Sequence, residues 1–143
     1  MREILFRGKR KDNGEWVEGY LIQSPYMGEV RSWISTPEDK TRLRAIATYY
    51  GDWRAVEVLT ETICQYTGLT DKNGNKIWEN DVVEIPGEGD CFKVMWSDTE
   101  ARYEMQSDSL VVDFDNYWSY EVEVIGNTFD NACIDELLKG EEG

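Results

Sequence analysis

The chain has 143 residues, with 15 Lys+Arg against 29 Asp+Glu for a formal charge of −14, and no histidine. The missing imidazole excludes Ser-His-Asp and Cys-His nucleophiles and histidine-ligated zinc, and the acidity argues against direct binding to a phosphate backbone, which draws clustered Lys and Arg. Hydrophobic residues at 41% exclude global disorder, and no apolar run exceeds three residues, where a membrane-spanning helix needs about twenty.

Strand signals dominate the start. Residues 2–7 alternate so as to place Ile4 and Phe6 on one face, and 15–22 put Trp16, Tyr20 and Ile22 on one side. Between them Lys11-Asp12-Asn13-Gly14 predicts a hairpin turn, because Asn-Gly supplies the positive φ such turns require. Residues 24–28 predict a turn, 31–35 a short strand, and 36–40 a loop or helix start. Residues 43–50 and 54–59 read as strands flanking Gly51-Asp52. A short helix over 37–47 is the competing reading, since Thr36 with Asp39 loosely matches a capping pattern.

Asn73-Gly74 predicts a second hairpin, between a strand at 64–70 and one at 77–85. Its neighbourhood, DKNGNKIWEN at 71–80, reads like KDNGEWVEG at 11–19, and shared hairpin chemistry explains this more simply than duplication. Residues 86–90, PGEGD, form a turn by composition. Alternation at 91–96 groups Phe92, Val94 and Trp96; strands at 101–105 and 110–114 follow. Residues 118–126 read as a strand with Trp118, Tyr120, Val122 and Val124 on one face. Only the end looks helical: Asp130 or Asn131 caps 133–139, Ile134, Leu137 and Leu138 form its apolar stripe, and Gly140 stops it. Short strands separated by turns, with one closing helix, predict a mostly β, β-rich α+β chain of antiparallel sheets or small barrels.

Cys64, Cys91 and Cys133 are widely spaced and lack a C-x-x-C pair, which suits buried free thiols in a reducing compartment better than disulfides. The N-terminus carries no apolar signal core, so the expected location is the cytoplasm. Charge is unevenly divided: residues 1–76 hold 12 basic and 11 acidic side chains, and 77–143 hold 3 and 18. Any electrostatic function is therefore expected after residue 76.

Most motif-like strings fail at a required position. Asp71-x-Asn73-x-Asn75 begins like a calcium loop, but Lys76 replaces the sixth-position glycine and Val82 the twelfth-position glutamate. Gly87-Glu88-Gly89 lacks the Lys-Ser/Thr of a phosphate loop. Pro86, Asp90 and Lys93 are spaced like a metal-dependent nuclease core, except that Cys91 stands where an acid is needed. Asp113 and Asp115, with Glu121 and Glu123 on a neighbouring segment, would gather four carboxylates for Mg²⁺ or Ca²⁺ if their strands pair in register. An ordinary solvated face is the simpler reading of the same alternation. Six Trp residues offer either a stacking platform or, more simply, core packing. Arg7, Lys9, Arg10 and Lys11 form the one concentrated basic patch, suited to an acidic surface or to a solvated turn.

Three strings, ILFRGKRKDNGEWVEGYLI at 4–22, QYTGLTDKNGNKIWENDVVEI at 65–85 and EVIGNTFDN at 123–131, together resemble the YopX family of phage and prophage proteins. The family's central motif reads QYTGL-x-D-x-NG-x-x-I-(F/W)-E-G-D-(I/V)-V, and the three blocks keep their order along nearly the whole chain. Asn80 stands where the family usually has glycine; Asn tolerates a positive φ, so the bend survives. Asp81 is expected to tie a backbone amide near that bend. Residues 24–62 match the family poorly.

The resemblance implies small antiparallel barrel-like (SH3-like) subdomains with a short C-terminal helix, encoded by a phage or prophage. The expected division is 1–62, with a variable middle, and 63–143, the acidic part. The resemblance implies no activity, catalytic residue or cofactor. The leading expectation is a non-enzymatic protein-binding module in the bacterial host cytoplasm, its partner a protein or another copy of the chain, because open sheet edges pair between chains. Two alternatives are an acidic nucleic-acid mimic that occupies a basic host or defence protein, and a carboxylate–metal hydrolase built on Asp113, Asp115, Glu121 and Glu123.

Overall fold

Turn chemistry and alternation close a first hairpin of β1 (Phe6–Lys9) and β2 (Trp16–Tyr26), in register from Phe6↔Gly19 to Lys9↔Trp16. The loop follows from its residues: Gly14 takes φ 73° and donates its N–H to the Arg10 carbonyl at 2.8 Å, while Asn13 Oδ1 accepts from the Glu15 amide at 2.9 Å. The computed structural model describes residues 3–26, 28–35, 55–88, 90–108 and 110–130. These residues are mostly β, and the chain divides into two units, Met1–Gln65 and Tyr66–Gly143.

In the first unit β3 (Glu29–Ser35) pairs with β2 and β4 (Ala55–Val58) with β3, all antiparallel. A 3-10 turn at Thr60–Thr62 leads into β5 (Cys64–Thr70), whose first residues pair with β1. The register puts Gly8, Leu21, Ser32, Ile34, Val56 and Val58 on one face. Ile34 and Val58 are buried there, and a Cβ placed on Gly8 would lie 3.1 Å from Val58 Cβ. Trp16, Tyr20 and Ile22 share a side as expected, but it is the opposite one, where Arg7 lies 4.4 Å above the Trp16 ring.

In the second unit the rest of β5 pairs with β6 (Lys76–Trp78) across the Asn73-Gly74 turn, with an irregularity around Gly68. A five-stranded antiparallel sheet follows in the order β10-β9-β8-β7-β11: β7 (Asp81–Glu84), β8 (Cys91–Ser97), β9 (Arg102–Gln106), β10 (Val111–Asp113) and β11 (Glu123–Asn127). One face of that sheet carries Val83, Phe92, Val94 and Met105, which pack with Ile77, Phe114 and Val122 into the core. Each such side chain contributes about 1.5–3 kcal/mol on burial, so this cluster is the main source of the unit's stability.

Several expectations need correction. The first strand starts at Phe6, and Leu5 rather than Ile4 is buried (4% against 57% exposed), because three consecutive apolar residues leave the phase open until pairing fixes it. β2 runs on to Tyr26 instead of turning at 24. Pro25 is tolerated because β2 there has β3 as its partner and has passed the end of β1. The strand expected over 77–85 is broken at Glu79-Asn80.

The start of the strand expected over 118–126 is instead a helical turn, α1 (Asn116–Ser119), whose Trp118 amide donates to Asp115 Oδ1. Nor does a continuous ladder close either sheet into a barrel among the described residues. In the first unit an isolated Arg10–Val58 bridge curls β4 back toward the end of β1, without the staggered pairing that closure requires. The helix expected at 133–139, the strand at 43–50 and the helix alternative at 37–47 lie outside the described residues, as do Trp53 and Cys133.

Candidate functional site

The motif-rich segment 65–85 builds a set of buried polar anchors. Asp71, 2% exposed, sits at the mouth of the Asn73-Gly74 turn. Its Oδ1 accepts from the amides of Asn73 and Asn75, both at 2.9 Å. Its Oδ2 accepts from Asn75 Nδ2 at 3.3 Å and from the Val124 amide at 3.0 Å, fastening the turn to β11. Burial works against the charge, but the amides of Val124, Asn75 and Asn73 outweigh it and hold the carboxyl below its ordinary pKa. The residues that open like a calcium loop thus use their carboxylate on the backbone.

The bend after β6 follows the same logic. Asn80 takes φ 69°, its amide donates to the Val94 carbonyl at 2.8 Å, and its carbonyl accepts from Thr128 at 3.0 Å. Asp81, 1% exposed, accepts the Trp78 amide at 2.8 Å, as expected from the sequence. Asp81 pairs with Asn127 across β7 and β11, and Asn127 Oδ1 caps the next turn through the amides of Phe129 and Asp130. Segments 65–85 and 123–131 therefore meet through Asp71, Asn80 and Asp81. Sequence reasoning found Asp81 but missed Asp71, whose signal was the Asp-x-Asn-Gly-Asn string.

The four acids proposed for a metal do not share one site. Asp113 is exposed on β10 and pairs with Arg102 at 2.8 Å. Asp115 caps α1. Glu121 is exposed in the turn after α1, and Glu123 accepts from Asn73 Nδ2 at 3.0 Å. Among the described residues no three Asp, Glu, Cys or His side chains gather as metal ligands. Aligning them needed β10 beside β11, and the two lie at opposite edges of the five-stranded sheet. Glu104, 6% exposed, is a buried acid that the sequence did not single out; Arg102 holds it at 3.0 Å.

The basic stretch is divided among local partners. Arg7 and Lys9 lie over Trp16, Arg10 pairs with Asp12 at 2.9 Å, and Lys11 lies 3.4 Å from Glu57. A shallow depression of about 340 Å³ is lined by Lys11, Asp12, Val56 and Glu57. Both its acids already have cationic partners: Asp12 has Arg10, and Arg31 binds Glu57 in bidentate fashion at 2.7 and 3.1 Å and lowers its pKa. The tryptophans are split as well. Trp78 is buried, whereas Trp96 is 40% exposed with its ring edge-on to Tyr103.

Cys64 and Cys91 are buried free thiols, and burial, with Glu84 and Asp90, pushes the Cys91 pKa up. No helix among the described residues is long and apolar enough to cross a membrane. The exposed charge of the second unit is mostly acidic. Asp98, Glu100, Asp108, Asp113, Asp115 and Glu121 are all exposed in the second unit, where residues 66–143 carry 5 basic and 19 acidic side chains. A family model described as YopX protein matches residues 5–139, and no curated protein matches the chain.

Proposed function

The chain belongs to the YopX family, and from that premise we propose that it is a phage or prophage accessory protein that binds another protein in the bacterial cytoplasm and catalyses nothing. The observation that carries the reading is the division of charge. Residues 1–65 hold 10 basic and 10 acidic side chains, so the whole −14 belongs to the second unit. A one-signed surface selects partners of opposite sign and speeds encounter. The buried acids Asp71, Asp81 and Glu104 act on the fold, which leaves the exposed ones for recognition. For the first unit we read an SH3-like arrangement, supported by the 3-10 turn that precedes the strand returning to β1.

A second reading is favoured by the same exposed acids: display of carboxylates in place of phosphates, to occupy a nucleic-acid-binding host or defence protein. Capture from host lysate at about 50 and 500 mM salt separates the two, since screening shortens the reach of exposed charges from more than 10 Å to less than 5 Å. A basic nucleic-acid-binding protein lost at high salt supports mimicry. A partner retained at both salts supports the module. Retention of no protein at either salt refutes both readings.

A further inference from the structure

Among the described residues the β10 edge of the five-stranded sheet has no strand beside it, and its chemistry specifies what can pair there. Ser107 donates to the Leu110 carbonyl at 2.9 Å and Phe114 to the Tyr103 carbonyl at 3.0 Å, which fixes the hydrogen-bonded positions between β10 and β9. Because antiparallel ladders alternate, Val111 and Asp113 turn their own N–H and C=O groups away from β9, toward the open side. Val111 is 56% exposed and Leu110 51%.

Proteins ordinarily blunt such an edge with lysine, proline, a bulge or a covering loop. Among the described residues β10 has none of these: residues 110–114 read LVVDF, the register with β9 is unbroken, and what guards the edge is its three-residue length and the charge of Asp113, which repels acidic strands and admits basic ones. Among the described residues two other edges have contacts of their own. β11 carries a bulge at Val124/Gly126 and is covered by the Lys72–Val122 and Asp71–Val124 bonds; β4 is met by Lys11 and Lys9.

We propose that the β10 edge is a strand-addition site for an extended, basic segment of a protein partner, whose central apolar residue lies against Val111 and whose flanking Lys or Arg side chains face Asp108, Asp113 and Asp115. The proposal rests on the protein-binding reading above. Charge decides the occupant. Pairing β10 with its counterpart in a second copy would bring together two units of −14 each, whereas a basic strand relieves that repulsion. Main-chain bonds would supply affinity and the acids would select the sequence.

The test uses the full chain and a blocked nonapeptide that alternates Lys and Thr around a central Val, with a Glu-for-Lys version as control. Adding the Lys peptide slows hydrogen exchange at the Val111 and Asp113 amides by at least about tenfold, and the Glu peptide does not. Val111→Pro removes an outward N–H and no ladder bond, so it abolishes Lys-peptide binding while the melting temperature stays near the parent's. Val111→Lys gives the same loss through charge if the proline variant fails to fold. Unchanged exchange at millimolar Lys peptide, or equal binding by both variants, overturns the site. Protection at Val111 that rises with protein concentration alone overturns the occupant in favour of a second copy. If the site fails while host capture succeeds, only the β10 assignment is lost; if host capture fails too, so is the reading beneath it.

Discussion

Replacing Asp71 should be the most costly single change outside the apolar core. The carboxylate is 2% exposed and accepts four hydrogen bonds, from Asn73 N, Asn75 N, Asn75 Nδ2 and Val124 N. A hydrogen bond to a charged group is worth about 1.5–3 kcal/mol net, but the donors in exposed Asn73 and Asn75 regain water when it is lost. The part-buried Val124 amide does not, so Asp71→Ala should cost about 3–4 kcal/mol, a large share of the 5–15 kcal/mol typical of a whole domain. Asp71→Asn keeps one acceptor for the turn but sets an amide donor against Val124 N–H, and should cost about 2 kcal/mol.

Urea unfolding followed by tryptophan fluorescence and far-ultraviolet circular dichroism measures both changes. Because the folded pKa is depressed, the contribution is complete at neutral pH and is lost as pH falls below about 4. The parent should therefore lose more stability than Asp71→Asn between pH 5 and 2.5. A loss under about 1 kcal/mol for Asp71→Ala, or parallel acid profiles, would refute the anchoring role.

Asn80 sits at φ 69°, so Asn80→Gly should leave stability within about 0.5 kcal/mol of the parent while Asn80→Val costs about 1–2 kcal/mol, compared by the same urea curves. Gly8→Ala brings a methyl to 3.1 Å from Val58 and should lower stability by about 1–3 kcal/mol; adding Val58→Ala should recover part of the loss. In a Cys133→Ser background, maleimide labelling of the buried Cys64 and Cys91 at pH 7 should run at least about a hundredfold slower than in urea, and fast labelling of the native protein would contradict their burial.

Local chemistry was legible wherever one or two residues dictate a backbone conformation. Asn13-Gly14 and Asn73-Gly74 mark their hairpins because few other pairs take the required φ, and Asp81 announces its amide through the bend at Asn80. Periodicity failed where two periods fit the same residues. Trp118 and Val122 suit a helical turn four residues apart as well as a strand face, and the choice falls to Asp115, which accepts the Trp118 amide and, through its carbonyl, that of Ser119. Asp113, Asp115, Glu121 and Glu123 share a face in sequence, but that becomes proximity only if the strands align, and β10 and β11 lie at opposite edges of the sheet. Glu104 was invisible because an acid beside Arg102 reads like any solvated pair until the sheet buries it.

A physical division runs through these residues. Asp71 and Asp81, together with Gly8 and Trp16, carry the family resemblance, and each is fixed by a geometric demand: a buried amide to satisfy, a close approach or a stacked cation; Asn80, which replaces the family's glycine, still meets the positive φ of its bend. Such positions determine how the chain folds and say little about what it meets. The groups whose exchange costs the fold little are, in the second unit, the exposed acids and the outward backbone of β10, and the binding proposed above rests on them. Surface substitutions usually change stability by less than about 0.5 kcal/mol, so such a surface can vary while the hairpins and anchors stay in place. A strongly recognisable fold signature is then compatible with the recognition surface proposed above, because the residues that identify the family answer to the backbone and the exposed acids do not.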